Sequence, residues 1–400
     1  MTAVPVALES RPDGVPPDSA AADFLAVDLA GPVSLATSAT AADVDRALGG
    51  PGRRPGLADL GALLSPAAGD RLEDLAAAAH RASVRRFGRV VRLFAPLYLS
   101  NECVSACTYC GFSAGNDIAR RTLTPVEVAA EARTLRDRGF RHVLLVAGEH
   151  ARIVSKDYLV ECVAALAGDV PSISLETQVW DVGTYRRLVE AGCEGLVVYQ
   201  ETYDRDTYAA VHLKGKKRNY DWRLAAPDRA AEAGMRSLAV GALLGLDPDW
   251  RSEVLALAAH ASALLRRWWR CDVAVSLPRL RPAAGGFEPE RAVTDREYVQ
   301  ILCALRLALP DVGITLSTRE SPAFRDAACK LGVTQMSAGS HTEPGGYADP
   351  GRAEPQFEVS DTRSPAEVAA ALRAAGYDPV WKDTIGARVK DAVPTVQSRP

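Results

Sequence analysis

Three of the chain's eight cysteines fall within eight residues: Cys103, Cys107 and Cys110 in "NECVSACTYCGF". A C-x3-C-x2-C spacing puts three thiolates on one tight loop, a donor set that suits either a zinc ion or an iron–sulfur cluster. Zinc usually wants a fourth protein ligand at related spacing, and no Cys or His pair nearby supplies one; His142 and His150 could reach only through tertiary contact. Three thiolates on a 4Fe-4S cluster leave one iron open. The amino and carboxylate groups of S-adenosylmethionine can chelate an open iron, which then reduces and cleaves that molecule to a 5'-deoxyadenosyl radical. The remaining cysteines, Cys162, Cys193, Cys271, Cys303 and Cys329, stand singly in apolar or helix-like contexts and read as small buried hydrophobes.

Such a loop needs rigid elements to hold it. From residue 92 onward eight short apolar runs alternate with amphipathic helical stretches: "RLFAPLYL", "RHVLLVAG", "SISLETQ", "EGLVVYQ", "SLAVGALLG", "VAVSLPR", "GITLSTRE" and "TQMSAG". Repeated strand–helix units of this number favour an α/β fold, a closed (β/α)8 TIM-type barrel, over an open doubly wound sheet. Polar residues gather at the C-terminal ends of the runs, in "AGEH", "LETQ", "YQETY", "SLPRLR" and "LSTRE". That is the face on which such barrels carry their chemistry. The cysteines follow the first run directly, so their loop is expected over the same mouth.

At 400 residues, with a net charge of -3 and 24% charged residues, the chain reads as an enzyme-sized globular protein, with no sign of nucleic-acid binding. No apolar run approaches the roughly 18 residues of a membrane helix, and the first thirty residues lack a signal-peptide pattern, so no membrane partner and a cytoplasmic location are expected. Residues 1–38, rich in Ala, Pro, Asp and Ser, read as a poorly ordered arm. An N-terminal helical layer over 39–91, the barrel over 92–346, a C-terminal extension over 347–383 with one helix through "SPAEVAAALRAAGYDPVWKD", and a tail over 384–400 complete the expected organisation.

The C-x3-C-x-Y-C-G-F pattern after a first barrel strand resembles the signature of radical S-adenosylmethionine enzymes. The flanking "PLYLSN", with "LLVAGEH", "VVYQETY", "WRLAAPDR", "LSTRESPAFRD", "PGGYAD" and "PVWKD", is similar to the aromatic amino acid lyases of that superfamily. "HLKGKK", "ALLSPAA" and "RFGRVVRLFAPLYLSN" extend the resemblance to the thiamine-pathway tyrosine lyases over residues 41 to 383. The hydrogenase-maturation branch carries a further C-terminal cysteine motif, and this chain has no cysteine after Cys329. A tryptophan lyase making 3-methyl-2-indolic acid is the alternative, and the departure at Val179 and Trp180 in "LETQVW" bears on the substrate pocket.

The resemblance implies one 4Fe-4S cluster on Cys103, Cys107 and Cys110, shielded by Tyr109 and Phe112, with Gly111 letting backbone approach the adenine. Gly148 and Glu149 are expected at the amino group of S-adenosylmethionine, Glu176 at its ribose hydroxyls and Arg223 at its carboxylate. For the amino acid substrate it points to Arg319 and Ser337, with Arg279 and Arg281 as competitors for the carboxylate, and to Tyr98 near the amine. Gln200, Glu201 and Tyr203 lie at the right end of a strand for ring recognition, whereas Lys214, Lys216 and Lys217 read as a solvated loop. Implied partners are an electron donor and a thiazole synthase that would receive 2-iminoacetate.

Overall fold

The computed structural model describes residues 14–49 and 55–381. Among these, eight parallel strands form the centre: β1 (Val90–Ser100), β2 (His142–Ala147), β3 (Ser172–Glu176), β4 (Gly195–Glu201), β5 (Ser237–Ala242), β6 (Asp272–Ser276), β7 (Gly313–Leu316) and β8 (Gln335–Ser337). Each apolar run supplies one strand. Neighbours pair in chain order, and β8 returns to β1 through Arg92–Gln335, Leu93–Met336 and Phe94–Ser337. That last pairing closes the barrel and leaves no open doubly wound sheet.

The strands are apolar because core lies on both of their faces; all six residues of β2 are buried. The intervening helices begin where the sequence offers caps. Thr124, Thr294 and Ser364 form reciprocal capping boxes with Glu127, Glu297 and Glu367. Ser155, Asp181 and Ser321 each accept a backbone N–H through a side-chain oxygen.

The structure departs from the expected arm at the N-terminus. From Gly14 the chain is built into the fold, with helices Ala20–Leu25 and Ala30–Ser38; residues 1–13 lie outside the described residues. The cause is long-range. Asp228 accepts the amides of Ala20 and Ala21 at 2.7 and 3.1 Å, and Phe24 is buried with its ring 5.4 Å from those of Tyr203 and His260. A partner 208 residues away satisfies this helix N-terminus. The helices Leu57–Leu63, Pro66–Gly69 and Leu72–Phe87 pack on the helix Asp295–Ala308.

After β8 a strap, residues 338–361, runs beside β1 before the helix Pro365–Ala374. That helix stops earlier than the sequence pattern suggests. Gly376 turns the chain at φ 81°, and Asp378–Val380 pairs in parallel with the start of β1. The expected tail lies outside the described residues.

Candidate active site

The cysteine loop leaves the top of β1 and is fastened by elements distant in sequence. Ala106–Cys107 pairs antiparallel with His212–Lys214, so "HLKGKK" serves first as a wall for the cysteines. The Arg120 guanidinium donates to four loop carbonyls, those of Asn101, Phe112, Ser113 and Asn116, at 2.6, 2.9, 2.8 and 3.1 Å. Gly148 presses on the other side, its N–H donating to Ser100 O at 3.0 Å. A Cβ there would stand 2.4 Å from the Glu102 carbonyl oxygen, so the position excludes any side chain.

Cys107 is buried, while Cys103 and Cys110 are half-buried. Burial pushes the Cys107 thiol up to about 12 and raises Cys103, with repulsion between the sulfurs adding to both. A metal must displace these protons. Among the described residues no three His, Cys, Asp or Glu side chains close around one point as ligands of a single ion would. Neither candidate fourth ligand helps: His142 sits at the start of β2, at the opposite end of the barrel, hydrogen-bonded to Ser174, and His150 Nδ1 accepts the Ile153 N–H. Three spaced thiols without a fourth partner fit the corners of an iron–sulfur cluster better than a zinc ion.

Beside the loop a cavity of about 950 Å3, counting its open mouth, enters the barrel. Cys110 stands at its edge, and Phe94, Leu144 and Val146 give it an apolar wall. Of the expected substrate residues, Tyr98, Arg319 and Ser337 all line it. Tyr98 donates its hydroxyl to Gln356 Oε1 at 2.8 Å and meets Phe112 edge-on at 5.9 Å. Ser337 Oγ accepts the Thr318 N–H at 3.1 Å, which ties the ends of β8 and β7 together. Arg319 lies over the Phe357 ring, 3.4 Å from the centroid, and forms no ion pair with the described residues.

Charged groups crowd this rim, and four of them are paired. Glu149 meets Arg223 at 3.1 Å, and Ser105 donates to its other oxygen at 3.1 Å. Arg223 also donates to Tyr199 O at 2.7 Å. Glu201 and Lys217 meet at 2.6 Å. Burial alone would raise Glu201, but Lys217 and Arg223 outweigh it and hold the carboxylate below its usual range. A register shift between β4 and β5 aims Glu201 inward, and its φ of 74° is the sole positive value at a non-glycine among the described residues. Glu176, Arg319 and Arg281 line the cavity and form no ion pair among the described residues. Burial, and then the charge of Glu201, raises the Glu176 carboxyl to about 7.

The geometry sorts the remaining expectations. Lys217 is turned into the mouth, contrary to the solvated-loop reading, because Glu201 waits there; Lys214 and Lys216 are exposed. Arg279 drops out as a carboxylate ligand, since Glu320 and Asp295 already hold it. Arg281 lines the cavity with a buried, unpartnered Nε. Tyr203 points away, bonding His260 at 3.0 Å, and Gln200 reaches Tyr220 O, so neither reads the substrate ring. Val179 and Trp180 border a separate cleft with Lys216 and Trp222. Tyr109 also lines the cavity, its hydroxyl 2.8 Å from His212 Nε2. Missed from the sequence were Tyr199, Gln356 and Phe357; the last two sit in a polar strap with no periodicity to mark them.

Comparison with known proteins gives the family. The radical SAM superfamily model matches residues 97–258, and the Biotin and Thiamin Synthesis associated domain matches 276–378. The 2-iminoacetate synthase of Escherichia coli K12 is 46% identical over 344 residues, 86% of this chain and 91% of that one. This chain belongs to the 2-iminoacetate synthase family of radical SAM enzymes. Salmonella typhimurium has a 2-iminoacetate synthase 45% identical over the same lengths. Among solved structures, HydG, a maturase of the FeFe-hydrogenase, superposes with a TM-score of 0.85 at 32% identity, covering 91% of this chain and 82% of that one. Membership in the family implies a 4Fe-4S cluster and S-adenosylmethionine.

Proposed function

We propose that this family member cleaves the Cα–Cβ bond of L-tyrosine, giving 2-iminoacetate and 4-methylphenol for thiazole formation. Its relatives carry the name of the first product. The observation that carries the reading is the unpaired Arg319, aimed into a cavity bordered by Cys110 and walled by apolar side chains. A buried guanidinium with no internal carboxylate is matched to a ligand carboxylate, which it binds in a bidentate, charge-assisted way.

Cys103, Cys107 and Cys110 would hold a single cluster. When bound with S-adenosylmethionine, it supplies a 5'-deoxyadenosyl radical. Every other task falls to the chain. Arg319, supported by Ser337, anchors the substrate carboxylate and so fixes where its amine lies; Tyr98 stands beside that amine. Glu149 and Arg223, already an ion pair, separate to take the amino and carboxylate groups of S-adenosylmethionine, and Glu176 takes the ribose hydroxyls. Phe94, Leu144 and Val146 exclude water from the side-chain end. Loss of one amine hydrogen from tyrosine lets the Cα–Cβ bond break into 2-iminoacetate and a 4-hydroxybenzyl radical, which needs one electron and one proton to become 4-methylphenol. An electron donor is therefore a required partner. A thiazole synthase is the expected recipient, because 2-iminoacetate hydrolyses readily.

The test is anaerobic incubation of the reconstituted protein with tyrosine and with tryptophan, products being identified by mass. Tyrosine should yield 4-methylphenol and glyoxylate from hydrolysed 2-iminoacetate. Formation of 3-methyl-2-indolic acid without 4-methylphenol would overturn the assignment.

A further inference from the structure

The strap brings a neutral amide against the cysteine loop. Gln356 Nε2 lies 3.6 Å from Cys110 Sγ, within donor distance of a sulfur, and its Oε1 accepts the Tyr98 hydroxyl at 2.8 Å. The two contacts orient the amide: a tyrosine O–H donated to the oxygen leaves the NH2 group facing the sulfur. Backbone contacts hold the residue there. Its N–H donates to Thr342 O at 2.9 Å, and Thr342 Oγ1 donates to Phe357 O at 3.1 Å. Its carbonyl oxygen lies 2.3 Å from where a Cβ on Gly111 would stand, so the glycine after Cys110 is what lets the strap come so close.

We propose that Gln356 is a positioning residue for the Cys110 thiolate, donating an N–H···S hydrogen bond that raises the reduction potential of the cluster. The inference rests on Cys110 being a cluster ligand. Hydrogen bonds to cluster sulfurs are among the levers that set potential, since a donor withdraws charge from the thiolate and so favours the more negative, reduced state. Tyr98, expected near the substrate amine, holds the other end of the amide. Substrate contact with Tyr98 and the electron affinity of the cluster are therefore linked through one side chain.

Reconstituted wild-type protein, Gln356→Leu, Gln356→Glu and Tyr98→Phe should be compared for iron and sulfide content and by redox titration of the reduced-cluster EPR signal. Both Gln356 variants should load the cluster fully yet show a more negative midpoint potential, with the larger displacement in the glutamate. Tyr98→Phe, which keeps the amide but frees it to rotate, should shift in the same direction by less. Midpoints equal to wild type in fully loaded variants overturn the inference. If the leucine fails to assemble, the near-isosteric glutamate and Tyr98→Phe decide, and an absence of shift in both overturns it equally. A wild-type protein that assembles no four-iron cluster removes the ligand assignment itself, a result distinct from an unchanged potential.

Discussion

Charge pairing on the barrel rim distinguishes groups that already have a partner within the chain from groups left without one. Glu149 with Arg223 and Glu201 with Lys217 satisfy one another, whereas Glu176 and Arg319 share no such bond. An unpaired buried charge is costly, and it persists where a ligand completes it. For Glu176 this gives a pH signature. Its carboxyl is raised to about 7, chiefly by burial and secondarily by Glu201. The folded protein keeps that proton to about pH 7, while the unfolded chain releases it near the ordinary glutamate value of about 4.3. Stability thus falls as pH rises through this window and stays low above it. Glu176→Gln removes the penalty. In urea unfolding of the apo protein it should gain about 1–2 kcal/mol over wild type at pH 8, residual solvent screening of this mostly buried carboxyl trimming the value, and almost nothing at pH 4.5. A gain independent of pH would contradict the assigned shift.

Elements position the cysteines more than the cysteine segment positions itself. The loop has only the two-residue strand Ala106–Cys107 of its own; Arg120, the 212–214 strand and Gly148 give it shape. Arg120 carries the largest share, because one planar fork satisfies four carbonyls that would otherwise lose partners in a partly buried turn. Arg120→Ala should cost about 2 kcal/mol. It should also lower cluster loading and speed amide exchange across residues 102–118, with Arg120→Lys recovering little. Wild-type iron content together with unchanged exchange would show that the loop stands without this clamp.

On the scale of the whole molecule, the site is completed by a strap that the barrel topology does not require. Its far end is locked by Asp361, fully buried against Arg325 and also 2.7 Å from Arg363, while Arg325 donates to Ser337 O. This junction joins the end of β8 to the segment that carries Gln356 and Phe357. Asp361→Ala leaves Arg325 charged and unpaired inside the protein, a loss of about 3–5 kcal/mol. Limited proteolysis should then cut within residues 343–358, and the apparent KM for tyrosine should rise as Phe357 loosens over Arg319. Resistance to cleavage in a variant destabilised by that amount would place the defect elsewhere.

Locally encoded features were legible in the sequence: three thiols at a fixed spacing, eight apolar runs that became eight strands, and helix starts marked by Thr, Ser and Asp caps. Each depends on neighbours within a few residues, where periodicity and side-chain chemistry act directly. Arg319, Ser337 and Tyr98 were legible only through resemblance, and the fold brings all three to one cavity. Tertiary structure alone decided the rest. It turned Lys217 inward to Glu201, withdrew Tyr203 toward His260, moved Trp180 to another cleft, built the N-terminal segment onto Asp228 and set Gln356 beside Cys110. These outcomes depend on partners far along the chain, and which partner a buried polar group finds is fixed by packing rather than by its immediate neighbours.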